Sequence, residues 1–309
     1  MPDELSEDPT ADQRADLVAC EQYGAISLAQ ARDAGLTPNQ VRHRVRTKRW
    51  RRATRAVFVV GGAPSTWQQS VMVACLAGPA GTAASHLTGA ALYGLWDPPP
   101  VPHVTVPRTA SGRFRAAIVH HAELQPADVS LMGAVPCTRP ARILVECAEL
   151  LGHEELCELV DEVLCRRLTT VDGVHQAMAR AGRSPGRKGL IDLERALEVW
   201  TPGPRPGSPA EMRLARCLVR WGFPPPQRQV KIHDGRGGFV ARVDLGWPKR
   251  RVGLEYDGER HHGPRQRPAD VARQARVEAL GWELVRVRSD DLRGRGTKLR
   301  ATLARLLAA

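Results

Sequence analysis

Three carboxylates near the C-terminal end of the chain, Asp244, Glu255 and Asp257, are spaced so that they could do chemistry together, and two histidines, His261 and His262, follow closely. Glu255 and Asp257 lie two apart in VGLEYDG. In a strand that spacing puts them on one face and Leu254 and Tyr256 on the other. Asp244 lies in the preceding alternating segment, GGFVARVDLGW, across a WPKRR turn. Acidic side chains are poor strand formers, and three on neighbouring inner strands need a reason. A divalent cation supplies one. Carboxylate oxygens completed by water suit Mg2+, which activates water and neutralises phosphate charge.

The elements that must position these residues are legible. SPAEMRLARCLVRWG begins a helix, with Ser208 as N-cap, Pro209 at the first helical position and Glu211 three after the cap. Glu211 therefore has a structural reading as a capping-box acid as well as a chemical one. QRQVKI, GGFVARVDLGW and VGLEYDG read as strands, a helix runs from about Ala269 to Leu280 before Gly281, and WELVRVRSDDL reads as a strand and loop. Helix, three strands, helix, strand is the order of an α/β core.

Residues 208–292 resemble the domain family related to very-short-patch-repair endonucleases, within the PD-(D/E)XK nuclease superfamily. The segments that carry the resemblance are SPAEMRLARCL, GFPPPQRQV, VDLGWPKRRVGLEYDGERHH and ARVEALGWELVRVRSDDL. The resemblance implies a restriction-endonuclease-like domain hydrolysing phosphodiester bonds. It implies Glu211, Asp244 and Asp257 as Mg2+ ligands and His261 or His262 as general base or leaving-group acid. Asp257 stands where the superfamily pattern has lysine. Very-short-patch enzymes also lack that lysine and use histidines, so the resemblance still allows activity, while the departure leaves open which of Glu255 and Asp257 binds the metal.

The charge of +12 is unevenly placed. Residues 1–200 hold 22 basic and 22 acidic side chains, while residues 201–309 hold 23 and 11. A second asymmetry lies inside the neutral part. No acid occurs between Asp33 and Asp97, and Arg42, Arg44, Arg46, Lys48, Arg49, Arg51, Arg52 and Arg55 crowd together. Two basic regions imply two surfaces for a polyanion, with nucleic acid the expected one.

Residues 12–62 read as a winged helix-turn-helix. Ala15, Leu17, Val18 and Tyr23 suit a first helix ended by Gly24. Ser27 caps a second helix closed by Gly35, and Thr37 with Pro38 starts a third, PNQVRHRVRTKR. WRRATRAVFVV supplies the ribbon. The third helix fits a major groove, offering Asn39, Gln40, His43 and Arg44 to base edges, with Arg42 and Arg46 also outward. Lys48, Arg49, Arg51 and Arg52 hold phosphates. Four phosphate contacts would give a log K against log salt slope of about −3.6.

From about residue 14 to 150 the chain resembles the AbiEi family of antitoxin and transcriptional-regulator proteins. The resemblance rests on YGAISLAQARDAGL, VRHRVRTKRWRRATRAVFVVGGAP, ASHLTGAALYGLWDPP and VPCTRPARILVECAEL in that order. It implies autoregulation by the winged helix and a small α/β domain that opposes a partner nucleotidyltransferase toxin. Residues 63–200 are this middle domain with a helical extension. Ser85-His86 and His120-His121 invite a catalytic reading, but no acid lies near either pair in sequence. Glu154, Glu155, Glu158, Asp161 and Glu162 make an acidic helix face that is either solvated or packed on a basic domain.

The expected fold class is thus α+β and multidomain: a winged helix (12–62), the middle domain (63–200) and, after the TPGPRPGSP linker, the endonuclease-like domain (208–309). No apolar run reaches the roughly 20 residues that span a bilayer. The polar, acidic N-terminus lacks a signal-peptide pattern, so a cytoplasmic address is expected. The 7 cysteines, without a CxxC, argue against a disulfide framework or a structural zinc site. Two other readings stay open: a non-catalytic regulator carrying a silent nuclease fold, and a scaffold that binds protein through the acidic 154–162 face.

Overall fold

A computed structural model of the chain describes residues 8–111, 116–182, 188–200, 204, 206–257, 267–292 and 296–308. The fold is mixed, with helices and three sheets interleaved along the chain. No helix among the described residues is long and apolar enough to cross a membrane. The chain divides into two compact units: residues 1–152 with 172–191, and residues 153–171 with 192–309.

The first unit opens with α1 (Ala11–Glu21), β1 (Ala25–Ser27), α2 (Leu28–Asp33), α3 (Pro38–Arg46), β2 (Trp50–Arg52) and β3 (Val57–Val60). Each of the three helices starts from a capping box, at Thr10, Ser27 and Thr37, with glutamine three residues on. The strands form an antiparallel sheet in the order β1-β3-β2. Its core is Ala15, Ala19, Ile26, Ala31, Leu36, Val41, Trp50 and Phe58. The expected face of α1 needs correcting. Ala15 and Ala19 are buried, Leu17 is 60% exposed, and Tyr23 lies beyond the helix at φ +55°. Ala15 and Ala19 are four apart on one face, and Leu17, two residues from each, falls on the opposite one.

There follow α4 (Trp67–Ala77), β4 (Ala83–Ala84), α5 (His86–Leu92), β5 (His103–Val106), β6 (Ile118–His121), β7 (Val129–Met132), β8 (Val135–Thr138) and α6 (Pro140–Cys147). The strands make a mixed sheet ordered β6-β5-β4-β8-β7. Val71, Met72 and Cys75 of α4 join a single core with Val57 and Val59 from the first sheet and Val104, Val106 and Val135 from the second. Gln69, buried in α4, donates to the carbonyls of Tyr23 and Pro64. The expected break at residue 62 therefore crosses a shared core.

The second unit opens with α7 (His153–Cys165); α8 (Val171–Ala181) belongs to the first unit from Asp172 on, the boundary falls within α9 (Lys188–Glu198), and the second unit resumes through α10 (Pro209–Arg220). A four-stranded sheet follows from β9 (Gln227–His233), β10 (Phe239–Trp247), β11 (Val252–Tyr256) and β12 (Glu283–Val287), ordered β12-β11-β10-β9. Only the β11–β12 pairing is parallel, and α11 (Arg267–Ala279) is its crossover. The unit ends in α12 (Thr297–Ala308). Leu214 and Leu218 of α10 and Leu299 and Leu303 of α12 pack with Leu245 and Leu254, and Val277 of α11 packs with Val230 and Val243.

The acidic face of α7 turns out to be paired within this unit. Arg220 holds Glu154, Arg213 lies 3.6 Å from Glu158, and Arg216 reaches Asp161 at 2.6 Å, with Trp200 Nε1 donating to the same carboxylate at 2.8 Å. Residues 153–171, which the sequence groups with the middle domain, thus belong to the unit that carries the carboxylate strands.

Candidate functional site

Helix α3 and the ribbon after it form the more exposed candidate surface. Thr37 Oγ1 accepts from the Gln40 amide and Pro38 occupies the first turn, so the start of α3 is locally determined. Val41 turns inward and leaves Asn39, Gln40, Arg42, His43 and Arg46 exposed, followed by Lys48, Arg49, Arg51 and Arg52. A shallow cavity of 790 Å³ is lined by residues of α3 and Arg49, and no acid contributes to it. Local bonds already order this surface. Arg42 donates to Asn39 Oδ1, Arg46 lies 3.2 Å from His43 Nδ1, and Gln40 Oε1 accepts from the Thr37 amide at 2.7 Å. The turn into the ribbon is tight. The Gly61 amide donates to Arg49 O at 2.6 Å, and a Cβ on Gly61 would meet that oxygen at 2.8 Å.

Arg44, expected among the base contacts, is not presented. It is buried, pairs with Asp12 of α1, donates to Gln40 O at 2.9 Å and lies over the Trp50 ring. The cause is helical phase. Residue 44 falls three after Val41, on the inward stripe, and Asp12 anchors it there.

The carboxylate region is only partly assembled. Ser208 caps α10, and Glu211 in its first turn is buried; its carboxylate takes the Gly207 amide and not the Ser208 amide, so the expected capping box does not close. The two Glu211 oxygens accept from the Gly207 amide at 2.7 Å, Gln229 Nε2 at 2.8 Å and Ser208 Oγ at 3.2 Å. Burial pushes its pKa up, the Gly207 amide opposes that, and the nearby Asp244 charge raises it further. Asp244 and Glu255 each stand one residue beyond the Leu245–Leu254 pair, and Asp244 Oδ2 accepts from the Tyr256 amide at 2.9 Å. Sequence reasoning missed Gln229, which sits in β9 at φ +49° and ties that strand to Glu211.

Glu255 and Asp257 do not join this pair freely. Arg273 of α11 holds Glu255, and Arg288 lies 3.2 Å from Asp257. Among the described residues no group of three or more histidine, cysteine or acidic side chains is arranged to hold a metal ion. His261 and His262 lie outside the described residues.

A second polar cluster, in the first unit, joins Ser85, His86 and His120, which the sequence singles out, to His103, Thr105 and Glu146, which it does not. Ser85 Oγ lies 2.9 Å from His86 Nδ1 and accepts from Thr105 Oγ1 at 2.9 Å. His86 stacks on His120 with centroids 3.5 Å apart, and His120 Nε2 lies 3.0 Å from His103 Nδ1. The acid missing from the sequence neighbourhood is Glu146 of α6. It accepts from the His86 amide at 3.1 Å, Thr138 Oγ1 at 2.9 Å and Arg142 Nε at 3.1 Å. A Ser-His-acid triad places its serine and its acid on different ring nitrogens. Glu146 instead lies 3.9 Å from His86 Nδ1, the nitrogen that faces Ser85, and Ser85 has no exposed surface.

Burial and the neighbouring rings push His86 down to about 2 and His120 down to about 4, and burial lowers His103. Arg142 Nη1 is buried without a hydrogen-bond partner among the described residues.

No family model matches the chain. Two uncharacterized proteins from strains of Mycobacterium tuberculosis, MT2308 and Rv2248, are each 33% identical to it over 171 residues. The match covers 55% of this chain and 61% of each relative, so the chain spans about three-fifths of the length of the curated relatives it matches.

Proposed function

We propose that the protein is a DNA-binding regulator whose first unit begins with a winged helix-turn-helix. The observation that carries this is the acid-free basic surface of α3 and the ribbon, from Asn39 to Arg52. The element order α1, β1, α2, α3, β2, β3 and the sheet order β1-β3-β2 support it. In this reading α3 enters the major groove through Asn39, His43, Arg42 and Arg46, and Lys48, Arg49, Arg51 and Arg52 hold phosphates. Arg44 fixes α3 against α1 instead of touching bases. A salt titration of duplex binding tests the assignment. The native chain is expected to show a slope of about −3.6, and each phosphate contact removed by alanine takes away about 0.9. Equal slopes in the native chain and in a chain lacking Lys48, Arg49 and Arg51 would sink it. A nucleotidyltransferase toxin as partner belongs to the same reading, and co-purification of such a protein with the chain tests it.

A second reading, an endonuclease-like activity in the second unit, is favoured by one observation. Glu211 accepts only from the neutral donors Gly207, Ser208 and Gln229 among the described residues, Asp244 accepts from the Tyr256 amide, and neither has an ion-pair partner among those residues. Mg2+ is commonly bound through one or two carboxylates, with water and phosphate completing its shell, so this pair suits it in kind. Bound there, the ion would supply an activated water and neutralise phosphate charge. The chain's own part is positional: Gly207, Ser208 and Gln229 orient Glu211, and the Tyr256 amide orients Asp244. Labelled DNA incubated with Mg2+ or Mn2+ tests this. Cutting that disappears in Asp244→Ala supports the reading, and cutting that persists in that variant refutes the site.

A further inference from the structure

The second unit holds a surface that neither reading uses. Lys231 and His233 of β9 alternate with buried Val230 and Ile232, so both face solvent. Across the ladder Arg242 pairs with Lys231, and Phe239 pairs with His233, the two rings meeting edge-on at 6.2 Å. The tip between them is closed by hydrogen bonds. Asp234 Oδ1 accepts from the Arg236 amide at 2.9 Å and the Gly238 amide at 2.7 Å, and the Asp234 amide donates back to Gly238 O at 2.9 Å. Asp234 is thereby committed to the turn, and Arg236 projects from it exposed.

Three features of this hairpin lack an internal explanation. Lys231 and Arg242 are like charges placed directly opposite, an arrangement that destabilises a sheet. No ion pair to Lys231, Arg236 or Arg242 occurs among the described residues. Phe239 is 63% exposed at the end of the same strip. A lysine on an edge strand can serve to discourage edge pairing, and β9 is an edge. An exposed phenylalanine beside it does the opposite, so edge protection does not explain the set. An aromatic ring at the end of a row of unpaired cations is the combination that binds unpaired nucleic acid, the ring stacking on a base while the cations follow the backbone.

We infer that the β9–β10 hairpin is a second nucleic-acid surface, one that takes single-stranded DNA. Phe239 stacks on an unpaired base, and Lys231, Arg236 and Arg242 hold the adjoining phosphates. The inference rests on the DNA-binding reading above but on different residues, so the two separate experimentally.

The test uses the full chain and two probes, a labelled oligothymidine and a duplex, with native protein, Phe239→Ala, Phe239→Tyr and the double variant Lys231→Ala/Arg242→Ala. Phe239→Ala is expected to lose about tenfold in affinity for the single strand, and Phe239→Tyr to retain it. The double variant is expected to lower the single-strand salt slope by about 1.4. Duplex affinity stays unchanged in all three. All three positions are solvent-facing, and coincident thermal unfolding curves confirm intact folding. A native chain that binds duplex but not the oligothymidine, or Phe239→Ala binding both as the native chain does, overturns the hairpin surface and leaves the α3 assignment standing. A native chain that binds neither probe overturns both. Self-association abolished by Phe239→Ala with unchanged DNA affinity would reassign the strip to a second copy of the chain.

Discussion

Glu146 in the first unit and Glu211 in the second are both buried carboxylates held by three hydrogen bonds, and burial raises the pKa of each. They differ in the charge around them. Glu146 has a buried arginine, Arg142, at 3.1 Å. Glu211 has only neutral donors, and its charged neighbour is another acid, Asp244. A buried carboxylate next to its own cation is complete as a structural element. One held by neutral donors beside a second acid has no cation of its own, and a cation from solution can supply it. This contrast moves attention from the Ser85 and His86 cluster, which holds chemical groups in a closed arrangement, to the Glu211–Asp244 pair.

The largest test of the contrast is to remove Glu146. Glu146→Ala strands Arg142 in the core and is expected to cost the first unit about 3–5 kcal/mol in urea unfolding. A loss below about 1 kcal/mol would show that the pair is not a structural element.

The next is acid. His86, held at about 2, binds fewer protons folded than unfolded, where its ordinary value is 6.5. Its contribution is complete above pH 6.5 and is lost as pH falls from there toward 2. By pH 5 the loss from His86 is about 2 kcal/mol. His120, at about 4, acts in the same direction between pH 6.5 and 4. Glu146, raised by burial, acts in the opposite direction. The decisive comparison is therefore between the native chain and His86→Asn, unfolded at pH 7 and pH 5. The variant is expected to lose less stability on acidification, and an identical loss in both would exclude His86 as a source.

The smallest effect is expected at Glu211 and Asp244. Mg2+ at ten times its Kd should stabilise the native chain by about 1.4 kcal/mol. Glu211→Gln and Asp244→Asn should each remove that increment, and Glu146→Gln should keep it. An increment unaffected by either second-unit substitution would place the cation elsewhere.

The parts of the fold legible in sequence are those governed by neighbours along the chain. Ser27, Thr37 and Ser208 are N-caps where the three-residue spacing to Gln30, Gln40 and Glu211 places them. The strand alternation of QRQVKI and VGLEYDG becomes β9 and β11. The candidate site was less legible, because its partners lie far off in sequence. Arg44 meets Asp12 across 32 residues, His86 meets Glu146 across 60 and Arg216 meets Asp161 across 55. Glu255 and Asp257 belong to the expected strand, but Arg273 and Arg288 arrive on other elements to hold them.

Sequence alone thus determined where helices begin, which segments alternate as strands and where the net positive charge lies. Those follow from steric and hydrogen-bonding rules that act over three or four residues, and from composition. Only the tertiary structure decided which charged groups stay exposed. An arginine exposed on α3 and one locked to a buried acid look alike in sequence. The difference arises when packing desolvates one of them and forces it to find a partner.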